Sequence, residues 1–88
     1  MARVQVINEA AEDFGNPDGW ILCFQWCLYV LDDGTSKNGY RFIWRRPKAE
    51  GGALQAARGQ ARIPSIKVAK QLMEKAKKDG WGNYDADE

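Results

Sequence analysis

Trp20-Ile21-Leu22-Cys23-Phe24-Gln25-Trp26-Cys27-Leu28-Tyr29-Val30-Leu31 is the stretch on which the fold turns. Its aromatic and branched residues occupy both alternating sides. That is the pattern of a strand buried on both faces or lying at the centre of a sheet. An apolar helix is the competing assignment, but β-propensity and the flanking turns decide for the strand. On one side stands Gly15-Asn16-Pro17-Asp18-Gly19, with Pro at the second turn position and Gly closing the turn. On the other side Asp32-Asp33-Gly34 and Asn38-Gly39 mark a loop.

Outward from this centre, a second strand runs from about Tyr40 to Arg46 and stops at Pro47. A polar loop, Lys48 to Gly52, leads to a third strand at about Leu54 to Ile63. Residues 2–8 alternate weakly and read as an additional strand; residues 9–14 either extend it or form a short helical turn. Pro64-Ser65 opens a helix with Ser65 as N-cap, because its hydroxyl accepts from a free amide of the first turn. Ile66, Ala69, Leu72, Met73 and Ala76 recur at helical spacing, and lysines cover the opposite side. Gly80 suits the left-handed position after the helix, where Trp81 can fold back onto the last turn. The expected fold class is α+β: a three- or four-stranded antiparallel β-meander packed against one C-terminal α-helix. One domain covers residues 1–82, and the acidic residues 83–88 are expected to be disordered.

Eighty-eight residues support one core and no more. No apolar run approaches the roughly 20 residues needed to span a bilayer, and Met1-Ala2-Arg3-Val4 has no apolar leader character. A cytoplasmic location without membrane association is the expectation. Cys23 and Cys27 fall four apart on one strand, on the same face but roughly 13 Å apart. That separation exceeds disulfide reach, so both read as reduced, buried thiols. With no histidine, the commonest general base and the commonest metal ligand are both missing. Two cysteines alone do not make a structural zinc site. The expectation is a noncatalytic protein without metal or cofactor.

The net charge of +1 conceals an uneven distribution. From Met1 to Asp33, Arg3 stands against six acidic residues, a net −5. From Arg41 to Lys78 eleven basic residues stand against Glu50 and Glu74, a net +9, and Asp79 to Glu88 carries −4. Strand alternation puts Tyr40, Phe42 and Trp44 on one face and Arg41, Ile43 and Arg45 on the other. In Leu54 to Ile63 the same rule groups Ala57, Gly59, Ala61 and Ile63, whose small side chains would admit the helix, and sets Arg58, Gln60 and Arg62 opposite them. The candidate site is therefore an open sheet face bearing Arg41, Arg45, Arg58, Gln60 and Arg62. Arginine forks suit phosphates and base edges, which makes nucleic acid the leading candidate partner. Two other readings stand beside it. The N-terminal acidic segment, through Glu9, Glu12 or Asp13, could pair those arginines internally, or the face could meet an acidic protein. A small protein-interaction or inhibitor protein, monomeric or dimerising through an edge of the aromatic strand, is the alternative function. The four tryptophans read more readily as core than as stacking platforms for single strands.

Tyr40-Arg41-Phe42-Ile43-Trp44-Arg45-Arg46, Arg58-Gly59-Gln60 and the lysine-rich helix before Gly80-Trp81-Gly82 resemble the WGR domain. The Trp-Gly-Arg tripeptide itself is absent, Trp44 being followed by Arg45 and Arg46. The resemblance implies a compact sheet with a helix, and contact with DNA as in repair and polymerase-type proteins. In size and layout the chain also resembles the small proteins common in bacterial and phage genomes, which implies no activity.

Overall fold

In a computed structural model, residues 3–55 and 61–82 are described. Three antiparallel strands, β1 (Arg3–Glu12), β2 (Ile21–Val30) and β3 (Ser36–Arg45), form one sheet in the order β1-β2-β3, followed by helix α1 (Ile66–Lys78). The chain is thus α+β, a meander with one C-terminal helix. β2 lies in the middle, which accounts for apolar residues on both of its sides: each side has neighbours to pack against. A turn across Asn16–Gly19 with Pro17 at its second position connects β1 to β2, closed by Gly19 N–H donating to the Asn16 carbonyl at 3.0 Å. The β2–β3 register continues from Ile21↔Arg45 out to Val30↔Ser36, so β3 begins before Asn38-Gly39 and includes both. The turn is confined to Leu31–Thr35, where Leu31 N–H donates to the Thr35 carbonyl at 2.8 Å.

The sequence left residues 9–14 open between strand and helical turn; they continue β1 to Glu12. The third strand expected at Leu54–Ile63 is not found among its described residues. Leu54 makes one isolated bridge to Arg45, and residues 61–63 carry no strand pairing. Residues 56–60, with Ala57, Arg58, Gly59 and Gln60, lie outside the described residues, as do residues 83–88. The third strand of the sheet comes from the N-terminus instead: β1 pairs with the other side of β2.

One face of the sheet holds the core. Leu22, Phe24 and Trp26 of β2 and Ala10 of β1 are buried there with Leu72, Ala76 and Trp81, and Tyr40, Phe42, Trp44 and Val68 pack around them. The aromatic face of β3 therefore meets the helix side as alternation requires. The helix comes closest to β1, where Ala10 leaves it room. Phe24 is the hub, with ring centroids 5.3 Å from Tyr40, 4.6 Å from Phe42 and 5.9 Å from Trp81.

The helix ends are built as the sequence indicates. The Ser65 hydroxyl accepts from Val68 N–H at 3.2 Å. At the C-terminus Gly80 adopts φ +74°, Gly80 N–H donates to Lys77 and Trp81 N–H to Ala76. This Schellman closure drives Trp81 back into the core. The Tyr40 hydroxyl then donates to the Gly82 carbonyl, and Gly82 lies so close to Trp26 that a Cβ would stand 2.9 Å from its ring. The helix buries Ala69, Leu72 and Ala76, whereas Ile66 is 80% exposed and Met73 is also exposed. Ile66 sits in the first turn of the helix.

Candidate binding surfaces

The second face of the sheet carries no helix among the described residues, yet Cys23, Gln25 and Cys27 of β2 are fully buried on it. Long polar side chains do the covering. Glu9, Gln25 and Arg41 are directly opposite one another across the three strands. Gln25 Nε2 donates to Glu9 Oε2 at 2.5 Å, and Arg41 Nε donates to Gln25 Oε1 at 2.7 Å. Arg45 Nη2 pairs with Glu9 Oε2 at 3.2 Å, and Arg45 Nη1 donates to the Gly52 carbonyl at 3.0 Å. The Glu9 side chain reaches this face because β1 carries a bulge between Val6 and Asn8, which shifts the alternation by one residue.

Electrostatics follow from this arrangement. Burial, aided by the Glu9 charge, pushes the Cys23 thiol up, with Arg45 opposing. Burial likewise raises Cys27, against Arg41. Both thiols are free and stay protonated, which suits small apolar packing and not nucleophilic chemistry. Burial by itself would lower the Arg45 pKa, but its hydrogen bonds to Cys23 and Glu9 and the Glu9 charge raise it.

Arg41 and Arg45 thus share the face that alternation assigned them, but part of their hydrogen-bonding capacity is used inside the molecule. Of the acidic residues considered as partners, Glu9 takes that role. Glu12 and Asp13 accept from the backbone amides of Phe14 and Gly15 at their own turn. Arg58 and Gln60 lie outside the described residues. Arg62 is not on that face: its carbonyl accepts from Trp44 Nε1 at 2.8 Å, and Trp44 belongs to the helix side. With residues 61–63 outside any strand, alternation does not govern where Arg62 lies.

A different cluster appears where Arg62 sits. Trp20, Trp44, Gln55 and Arg62 line a cleft of about 360 Å³ at the end of the sheet. Trp20 is 44% exposed, and Phe14, also exposed, stacks on Trp44 with centroids 5.9 Å apart. Trp26 and Trp81 are core, as expected of tryptophans in a small domain; Trp20 is not. Its position just ahead of β2 is the one signal in the sequence that separates it. Past Arg62, Ile66, Lys67, Lys70, Gln71 and Glu74 line a shallow groove along α1.

A second groove, about 350 Å³, is lined by Phe24, Tyr40, Arg41, Phe42, Met73 and Ala76 beside β3. No group of His, Cys, Asp and Glu among the described residues is placed to hold a metal ion, and no helix among them is long and apolar enough to cross a membrane. No family model, curated protein or solved structure matches the chain.

Proposed function

We propose that this protein is a noncatalytic nucleic-acid-binding module, and that its contact surface centres on Arg62 and the cleft it lines with Trp20 and Trp44. The observation that carries the reading is the meeting of the exposed Trp20 ring and the half-buried Trp44 ring with an exposed arginine that has no carboxylate partner among the described residues. Aromatic planes and cations together are what a strand of bases and phosphates requires. Lys67 and Lys70 follow on the adjoining helix surface and, with Glu74 beside them, leave it net cationic. The resemblance to the WGR domain, which implies DNA contact, agrees with this reading. Arg41 and Arg45 contribute less, since Gln25, Glu9 and Gly52 already occupy several of their donors.

Fluorescence anisotropy of a labelled oligonucleotide, titrated with the protein over a range of salt, tests the reading. Affinity should fall steeply with salt, and Arg62→Gln should flatten the log–log slope by roughly 0.7–0.9, one phosphate contact. Arg45→Gln should change the slope less. Salt-independent binding, or none at low salt, would refute the proposal.

A second reading, a small protein-interaction protein, has its own observation. β2 is paired on both sides, so the aromatic strand has no free edge. β1 does, and along it Val4, Val6 and Ile7 are exposed. Association through that edge would be apolar and nearly indifferent to salt, which separates the two readings.

A further inference from the structure

We infer that the cleft between Trp20 and Trp44 receives a single unpaired nucleobase, so that the protein prefers single strands to duplex. This rests on the nucleic-acid reading above and specifies the ligand of the same site. The two indoles differ in their constraints. Trp44 is fixed: Phe14 stacks on its ring and its N–H is donated to the Arg62 carbonyl. Trp20 stands at the open side of the cleft, 44% exposed, with no ring stacked on it among the described residues. One wall is therefore held in place, and the other presents an exposed ring on which a flat guest can stack. The volume of about 360 Å³ is enough to take one planar ring.

Two polar groups fit the same guest. The Gln55 Oε1 atom is buried with no hydrogen-bond partner among the described residues. Native proteins rarely leave such an acceptor unsatisfied, and a base edge carries N–H donors. The Arg62 side chain is exposed at the cleft, where the phosphate joined to a stacked base would pass. In a duplex both faces of each base are covered by stacking, and an unpaired base offers its own at no such cost.

The test uses the full chain and three probes: a short single-stranded oligodeoxythymidylate, the same strand in duplex, and an abasic strand of equal charge. Tryptophan fluorescence reads stacking and anisotropy reads affinity. The single strand should quench the fluorescence and bind more tightly than either other probe. Trp20→Ala should weaken single-strand binding by roughly 5- to 150-fold, the equivalent of ~1–3 kcal/mol of base stacking. Trp20→Phe should retain most of the affinity, and Trp20→Ala should weaken single-strand binding more than duplex binding. Circular dichroism confirms that each variant is folded. If the native protein binds all three probes alike, or Trp20→Ala leaves single-strand affinity intact, the cleft inference fails while the nucleic-acid reading survives. If no probe binds at low salt, both fail.

Discussion

Replacing Leu72 by alanine tests whether α1 is an integral part of the core. Leu72 is 5% exposed and belongs to the cluster of Leu22, Phe24, Trp26, Ala76 and Trp81. The substitution removes three carbons; at about 0.8 kcal/mol per buried methylene, the transfer loss is about 2.4 kcal/mol. A cavity adds to this, because the helix is held at its C-terminus by Trp81 and cannot simply settle onto the sheet. The expected loss is about 3 kcal/mol, inside the range of roughly 2–5 kcal/mol for such sites. For a domain of this size, total stability is about 4–13 kcal/mol, so the change is large. Equilibrium unfolding in urea measures it: the midpoint should fall by roughly 2–3 M with an m-value of ~1–1.5 kcal/mol/M that does not itself change. Ile66→Ala, at a position 80% exposed on the same helix, is the control and should stay within about 0.5 kcal/mol of the native protein. A Leu72→Ala loss under about 1 kcal/mol, or an Ile66→Ala loss of similar size, would show that the helix does not pack as described.

Two further outcomes follow from the second face of the sheet. Gln25→Leu keeps the volume but breaks both hydrogen bonds of the Glu9–Gln25–Arg41 ladder; a loss of about 1–3 kcal/mol in the same urea assay is expected, and unchanged or raised stability would mean the ladder is not stabilising. Cys23 and Cys27 have thiols raised by burial, so the unfolded chain ionises them at lower pH than the native one, and stability should be intact below about pH 8.5 and decline as pH rises above it. The double variant Cys23→Ala, Cys27→Ala should remove that decline up to about pH 10, where Tyr29 and Tyr40, also raised by burial, begin to act in the same direction; equal slopes in the native protein and the variant would refute the assignment.

Much of the fold was legible because it rests on local signals. Trp20–Leu31 required neighbours on both sides, and β2 has them. Ser65 and Gly80 bounded the helix through cap chemistry that depends only on adjacent residues. The assignment of Leu54 onward as a strand used the same alternation that succeeded for β3, but pairing is a nonlocal property. Leu54 onward would have lain beside β3, where among the described residues only the Arg45–Leu54 bridge forms; the second neighbour of β2 is β1, whose own alternation is weak because its outer residues face solvent. The candidate site divided along the same line. Arg41 and Arg45 were placed correctly on one face by the period of the strand. Their internal partners depended on the β1 bulge that turns Glu9 toward them, which no spacing rule in the sequence announces. Arg62 follows no strand, so only its contact with Trp44 reveals its side of the molecule.

On the proposed reading, binding occurs at the Trp20–Trp44–Arg62 cleft and not on the sheet face of Arg41 and Arg45. A chemical-shift titration of isotopically labelled protein with a short single strand, at low and moderate salt, tests it most directly. The indole N–H signals of Trp20 and Trp44 and the amide of Arg62 should move first, and the shifts should fade as salt rises. Shifts centred on Arg41, Arg45 and Gln25, with the two indole signals unmoved, would contradict it.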